Sequence, residues 1–172
     1  MSYISQRQLR FLLYEVLDAP ALNRLPYFQD YDREAFDMVL DAAGQLADQY
    51  LFPFYREMDK AKARYDNGAV RVHASLQPAL RALAEGGWIS APFPYEAGGQ
   101  QMPFSLLNAG LLTFYAANAN TAGHAFLTQG AANLIRTFGA ASLQEQYLPH
   151  MLSGVWQGTM ALTEPQAGSS LS

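Results

Sequence analysis

The sequence predicts a mainly α-helical fold that ends in a single strand. Through most of the 172 residues, apolar side chains recur at the three- and four-residue spacing that places them on one face of a helix. Near the end the spacing changes to two: Trp156, Gly158, Met160 and Leu162 alternate with their neighbours up to Thr163, which is typical of a strand. No other segment has a clear strand pattern that could pair with it, so we expect its sheet to lie outside this chain. The sequence therefore predicts a helical domain followed by the first strand of a β domain, and an irregular C-terminal tail is the alternative.

The N-terminal half carries two predicted helices. The first covers residues 5–17 within an N-terminal extension, 1–30, and ends at Asp18-Ala19-Pro20. The second covers 32–52 and has the strongest helical pattern, and Pro53 predicts its interruption.

A turn, a helix and a loop follow. Asp66-Asn67-Gly68 predicts a turn, and residues 69–72 have the pattern of a short extended segment. A helix is predicted from about 75 to 85, because Gly86-Gly87 is a typical helix end. Residues 88–102 are rich in proline and glycine and predict a loop.

Three more helices are predicted in the C-terminal half. Two of them, over about 103–118 and 123–138, are separated because Asn118 and Asn120 favour turns. The third runs to 153 and is opened by Ser142 to Glu145, which has the form of a capping box. Apolar residues expected to face inward on the first two are Leu107, Leu111, Phe114, Tyr115, Leu127, Leu134, Ile135 and Phe138.

Composition excludes several classes of protein. A net charge of -4 gives no electrostatic reason for binding nucleic acid or an anionic membrane. The sequence has no cysteine, three scattered histidines, no apolar run long enough for a membrane span and no signal peptide, so we expect a cytoplasmic protein without a metal site. Only 15% of the residues are charged, which predicts apolar surface that a further segment, subunit or ligand covers.

The segment 159–169, Thr-Met-Ala-Leu-Thr-Glu-Pro-Gln-Ala-Gly-Ser, has the residue types of a ligand-binding turn. A strand, a proline bend and a turn of small residues follow one another, and Gly168 permits close approach of a ligand to the backbone. Thr163 and Ser169 add hydroxyl groups. These features suit a planar ring with hydrogen-bond acceptors and a phosphate, although a Thr and a Ser in a turn are more often structural.

The same segment resembles the T-E-P-x-A-G-S signature of the acyl-CoA dehydrogenases, and it follows a helical region of about the length found in that family. Other stretches resemble the long subgroup with an N-terminal extension that includes the 3-methylmercaptopropionyl-CoA dehydrogenases. These stretches are Phe11 to Leu17, Gly86-Gly87-Trp88, Gly98-Gly99-Gln100 with Pro103, Tyr147-Leu148-Pro149 and Gly154 to Met160.

The resemblance implies FAD as cofactor and the N-terminal helical bundle of the acyl-CoA dehydrogenase fold. It places Met160 to Ser169 against the flavin, with cofactor contacts from Met160, Leu162, Thr163, Gly168 and Ser169. Ser169 would also lie near the thioester substrate. The sequence departs from the family at Ser170, where an Asp is common.

The resemblance also implies α,β-dehydrogenation of an acyl-CoA by a full-length homo-oligomer, with an electron acceptor that the sequence does not identify. The catalytic base would be a Glu far downstream, so no residue of this chain is assigned as catalytic, and Glu164 belongs to the Glu-Pro bend. We expect an extension (1–30), a helical domain (31–153) and the start of a truncated β domain (154–172). Such a chain alone would be inactive and bind FAD weakly or not at all.

Other interpretations stay open. A non-enzymatic helical module that binds a partner protein would also explain the low charge, and a relative of the acyl-CoA oxidases would share fold and flavin. In the family, the region of Asn118, Asn120, His124 and Thr128 comes near the acyl-chain pocket, but capping and turn formation are the simpler roles for these residues.

Overall fold

The computed structural model describes residues 3–169, most of which are helical. In chain order the helices are α1 (Gln6–Phe11), α2 (Arg33–Leu46), α3 (Tyr55–Lys60), α4 (Leu76–Glu85), α5 (Phe104–Phe138) and α6 (Ala141–Leu152). An antiparallel hairpin of β1 (Arg64–Asp66) and β2 (Ala69–Arg71) lies between α3 and α4, around the turn predicted at 66–68. The mainly α-helical prediction is confirmed.

Two of these helices end in a wider, π-helical turn. α1 continues as Leu12–Val16 and α2 as Ala47–Leu51, so both predicted N-terminal helices are present. The chain then passes through a 3-10 turn, Phe52–Phe54, before α3 begins. Pro53 explains this interruption, because proline lacks the N–H that a continuous helix needs.

α5 is the central helix of the bundle and packs against α2, α3, α4 and α6. It contains one non-helical residue, Asn118, with φ −164 and ψ 95. We expected two helices separated by several residues, but the helix resumes at once after this kink. The reason is that Asn118 Oδ1 accepts a hydrogen bond from the N–H of Thr121 at 3.3 Å, as a residue at a helix start does.

One apolar core joins α2, α4 and α5. Its largest fully buried side chains include Phe36, Leu40, Leu51, Leu83, Leu106 and Phe114. The Trp88 ring packs edge to face on Phe114, with 4.8 Å between ring centroids, and it lies over Gly110 of α5.

A set of hydrogen bonds fastens residues 27–31 to the loop between α4 and α5. These bonds run from Tyr31 Oη to Gln100 O (2.6 Å), from Gln101 Nε2 to Tyr27 O (2.9 Å) and from Tyr95 Oη to Asp30 Oδ2 (2.9 Å). Residues 27–31 therefore pack on a loop that lies far away in sequence.

Several expectations for the C-terminal half are wrong. Tyr115, Leu134 and Phe138 do not face inward but are 39%, 61% and 80% exposed. Ser142 is not a cap, because α6 already begins at Ala141 and no side chain caps its first turn.

The strand predicted over 156–163 forms no β-ladder in the part of the chain that the structure describes, and residues 157–163 are irregular there. A strand needs a hydrogen-bonded neighbour, and alternation alone does not provide one. Within residues 3–169 no helix combines the length and the hydrophobicity that crossing a bilayer requires.

Candidate functional site

The segment 159–169 leaves the helical bundle after α6 and is exposed to solvent. Met160 is 61% exposed and Leu162 is 52% exposed, and Thr163, Gly168 and Ser169 are exposed as well. All five residues predicted to hold a cofactor are therefore accessible. The departure noted at Ser170 lies outside the described residues.

A tight turn shapes the far end of this segment. The N–H of Glu164 donates to the carbonyl of Ala167 at 2.9 Å, and the N–H of Ala167 donates back to the carbonyl of Glu164 at 3.2 Å. Pro165 lies between them and restricts φ. The turn brings Gly168 beside Thr163, because a Cβ built on Gly168 would lie 3.8 Å from Thr163 Cγ2.

The residues between Gly158 and Glu164 are all exposed to solvent. Among the described residues, the N–H groups of 159–163 donate no backbone hydrogen bond. Such groups suit the carbonyl and nitrogen acceptors of a planar ring, and the exposed side chains of Met160 and Leu162 suit its apolar faces. The segment contains no Lys or Arg, so a phosphate would be held by N–H and hydroxyl groups alone. The donor set therefore fits a flavin.

The near end of the segment is fixed to α5. The Thr128 hydroxyl accepts a hydrogen bond from the N–H of Gly158 at 3.0 Å and donates one to the carbonyl of His124 at 2.7 Å. Sequence reasoning missed this contact. The available signal was Gly158 itself, because a glycine inside an alternating segment often marks a close approach of another backbone.

The four polar residues that the sequence groups around 118–128 do not share one site. Asn118 is buried, and its Nδ2 donates to the carbonyl of Leu51 at 3.2 Å and to Met58 Sδ at 3.1 Å. Asn118 and Asn120 both line a cavity of about 370 Å³, and Asn120 and His124 line another of about 150 Å³ that His73 also borders. Thr128 lines neither cavity, and its hydroxyl accepts a hydrogen bond from the N–H of Gly158.

A polar network joins α1 and its π-helical end to α2. Tyr14 Oη donates to Asp37 Oδ1 at 2.6 Å, and Arg10 bonds Asp37 and Asp41 at 2.9 and 2.6 Å. The hydrogen bond from Tyr14, together with Arg10, holds the pKa of Asp37 below its usual value. Burial and the neighbouring Asp37 raise the pKa of Tyr14.

This network fastens α1 and its π-helical end to α2, and it lies apart from the 159–169 segment in sequence and contact. Over the described range, 3–169, no three His, Asp or Glu side chains are grouped so that they could hold a metal ion.

The family model described as acyl-CoA dehydrogenase, N-terminal domain, matches residues 33–155. The chain is 28% identical to a 3-methylmercaptopropionyl-CoA dehydrogenase of Ruegeria pomeroyi, over 96% of this chain and 28% of that protein. It is 30% identical to a butyryl-CoA dehydrogenase of Syntrophomonas wolfei, over 99% of this chain and 28% of that protein.

A solved structure described as an electron transferring flavoprotein of Acidaminococcus fermentans has a similar fold. It superposes with a TM-score of 0.64 and 24% identity, over 78% of this chain and 33% of that chain. The chain thus spans less than a third of the length of the curated relatives described above.

Proposed function

We propose that this chain, which belongs to the acyl-CoA dehydrogenase family, supplies the N-terminal helical part of an FAD-dependent enzyme that dehydrogenates an acyl-CoA thioester between its α- and β-carbons. The family match over residues 33–155 carries the proposal. Both curated relatives support it, since each is an acyl-CoA dehydrogenase aligned over nearly all of this chain.

We assign residues 31–153 to the helical domain, 1–30 to an N-terminal extension and 154–172 to the beginning of a β domain. The boundary near 153 is supported by the end of α6 at Leu152 and by the left-handed conformation of Gly154, φ +73, which turns the chain away from the helix. The boundary near 31 is supported by Asp32, whose side chain accepts from the N–H of Ala35 and starts α2.

FAD, when bound, supplies the hydride acceptor of the reaction. The residues that would hold it are Met160, Leu162, Thr163, Gly168 and Ser169. Met160 and Leu162 offer exposed apolar side chains for the ring. Thr163 offers a hydroxyl beside backbone N–H groups that have no backbone partner within residues 3–169. We assign Ser169 to the pyrophosphate and to the thioester end of the substrate.

The base that removes the α-proton would come from the part of the enzyme that this chain does not cover, since the chain aligns with 28% of its curated relatives. Glu164 is not assigned this role. Its backbone closes the turn with Ala167, which gives the Glu-Pro pair a structural task.

The experiment that tests the proposal isolates the polypeptide from its native source with an antibody against residues 31–153. Intact mass, visible flavin absorption and acyl-CoA-dependent reduction of a dye are then measured. We expect a polypeptide longer than 172 residues that carries FAD and reduces the dye only when acyl-CoA is present.

A 172-residue polypeptide without flavin would contradict the proposal and favour the non-enzymatic interaction module. Oxygen consumption in place of dye reduction would identify an acyl-CoA oxidase.

A further inference from the structure

Thr128 connects the middle of α5 to the segment that follows α6. Its fully buried hydroxyl donates to the carbonyl of His124 at 2.7 Å and accepts from the N–H of Gly158 at 3.0 Å. The amide oxygen of Gln157 lies 3.4 Å from the same hydroxyl. One side chain of α5 therefore bonds the backbone at the point where the segment begins.

Gly158 approaches α5 so closely that only a glycine fits. A Cβ at this position would lie 2.5 Å from Ala131 Cβ, 3.1 Å from Met151 Cε and 3.2 Å from Thr128 Cα. Because the first distance is far inside van der Waals contact, any side chain here would push the segment away from the helix. The hydrogen bond and the steric fit thus hold Gly158 at the same place.

Trp156 holds the chain two residues earlier. Its backbone N–H donates to the carbonyl of His150 at 2.9 Å. Its indole ring lies against the rings of His150 and Tyr147, with ring centroids 4.4 and 5.6 Å away. With Trp156 and Gly158 seated on the bundle, the residues that follow with the same alternation are the exposed Met160 and Leu162. Their position depends on where the backbone of Gly158 is held.

We propose that Thr128 is a positioning residue for the flavin-binding segment: its hydroxyl sets the point at which residues 159–169 leave the bundle. The inference rests on the proposed function, because it takes this segment to be the one that contacts FAD. Residues 159–163 have no backbone hydrogen bond of their own among the described residues. A displacement of the Gly158 backbone would therefore also displace Met160 and Thr163.

The test compares Thr128→Val, Thr128→Ser and Thr113→Val in the 172-residue chain. Valine keeps the shape of threonine without its hydroxyl, and serine keeps the hydroxyl. Thr113 is the matched control: it is fully buried on α5, and its hydroxyl donates to the carbonyl four residues before it, Ala109, at 3.1 Å. Among the described residues, its hydroxyl makes no hydrogen bond to residues 156–169.

Amide exchange measured by NMR is the first readout. In Thr128→Val we expect the Gly158 amide to exchange about tenfold faster, because it loses the hydroxyl that accepts its hydrogen bond. The indole signal of Trp156 should shift with it. Thr128→Ser should keep the wild-type exchange at Gly158, and so should Thr113→Val after correction for global stability. Equal acceleration at Gly158 in both valine variants would overturn the inference.

The second readout uses the full-length enzyme, because the 172-residue chain alone is expected to bind FAD weakly or not at all. The FAD-free enzyme is mixed with excess FAD, and protection of the amides between Thr163 and Ser169 is measured by hydrogen exchange. The inference expects this protection in the wild-type enzyme and in Thr128→Ser, and its loss in Thr128→Val. If Thr128→Val accelerates exchange at Gly158 yet gains the same protection from FAD as the wild type, the positioning role is overturned. A wild-type segment that does not respond to FAD argues against the proposed function, and exchange at Gly158 still decides whether Thr128 holds the segment.

Discussion

Asn118 shows how a single buried side chain interrupts a helix and restarts it. Its Nδ2 donates to the carbonyl of Leu51, which closes the π-helical end of α2, and its Oδ1 accepts the N–H that begins the next turn. An apolar residue here would leave the Leu51 carbonyl without this partner. The break was predictable from the residue type, but its partners were not, because Leu51 and Met58 lie 67 and 60 residues away in sequence.

Tyr14 offers a test of how the N-terminal extension is fastened. In Tyr14→Phe, Asp37 loses the hydrogen bond that chiefly lowers its pKa, and we expect the free energy of unfolding to fall by about 1 kcal/mol at pH 7. Because the folded pKa of Asp37 is below its unfolded value of 3.8, its contribution is present above that pH and is lost as the pH falls through the folded pKa. The difference between variant and wild type should therefore shrink by pH 3.

Urea unfolding at pH 7 and pH 3 measures this effect. The pKa of Tyr14 is raised, so the contribution of its own ionisation to stability is lost only as the pH rises above the ordinary value of 10.0. Any change in the stability difference at acid pH therefore comes from Asp37. Tyr65→Phe is the control, because Tyr65 is 78% exposed. A destabilisation of Tyr14→Phe that is the same at both pH values would refute the role of Asp37.

At the scale of the element, α5 owes its close packing to Gly110. A Cβ on this residue would lie 2.3 and 2.6 Å from two ring atoms of Trp88, which is itself buried against Phe114. Gly110→Ala should therefore displace the indole and lower the free energy of unfolding by about 2 kcal/mol. Thermal or urea unfolding followed by circular dichroism measures the change.

Gly123 of the same helix is the matched control. No atom lies within 4 Å of a Cβ built there, so Gly123→Ala should stabilise the chain by about 0.5–1 kcal/mol through helix propensity alone. If both alanine variants changed stability in the same direction, the contact with Trp88 would not be what requires a glycine at 110.

The elements also show where sequence patterns predict well and where they do not. Helices α2 and α4 were predictable because their apolar stripes face one core and their ends carry Asp32, Pro53 and Gly86. The segment 156–163 was predicted as a strand whose neighbours lie outside this chain. Within the described residues it forms no ladder, and Trp156 and Gly158 pack on helices there.

The same limit applies to the exposed apolar residues of α5. The helical spacing of Leu134 and Phe138 predicts that one face of the helix is apolar. It does not indicate whether another segment covers that face, and both residues are exposed. In the candidate site, the residues of 159–169 were predictable from the motif. Thr128 was noticed but its contact was not, because that contact joins residues 30 apart in sequence.

Across the whole molecule, the low charge content corresponds to apolar side chains at the surface. Phe104, Phe126, Leu134 and Phe138 of α5 are each at least half exposed. Exposed apolar surface of this kind promotes association in water.

Phe138→Gln should therefore lower both the binding of a hydrophobic dye and the light scattering of concentrated solutions. Because Phe138 is 80% exposed, the free energy of unfolding should change by no more than about 0.5 kcal/mol. Met38→Gln is the control, since Met38 is 64% exposed but lies on α2. An equal fall in scattering for both variants would mean that no particular face of the molecule drives association.

The bonds between residues 27–31 and the 95–101 loop also affect the order in which the chain folds during synthesis. They join residues 65, 69 and 74 positions apart, so the earlier partners leave the ribosome long before the later ones exist. At roughly 5–20 residues per second, Tyr31 waits about 3–14 s for the carbonyl of Gln100. During that interval α1 can already pack against α2. Residues 27–31 still lack their partners in the 95–101 loop and are accessible to chaperones.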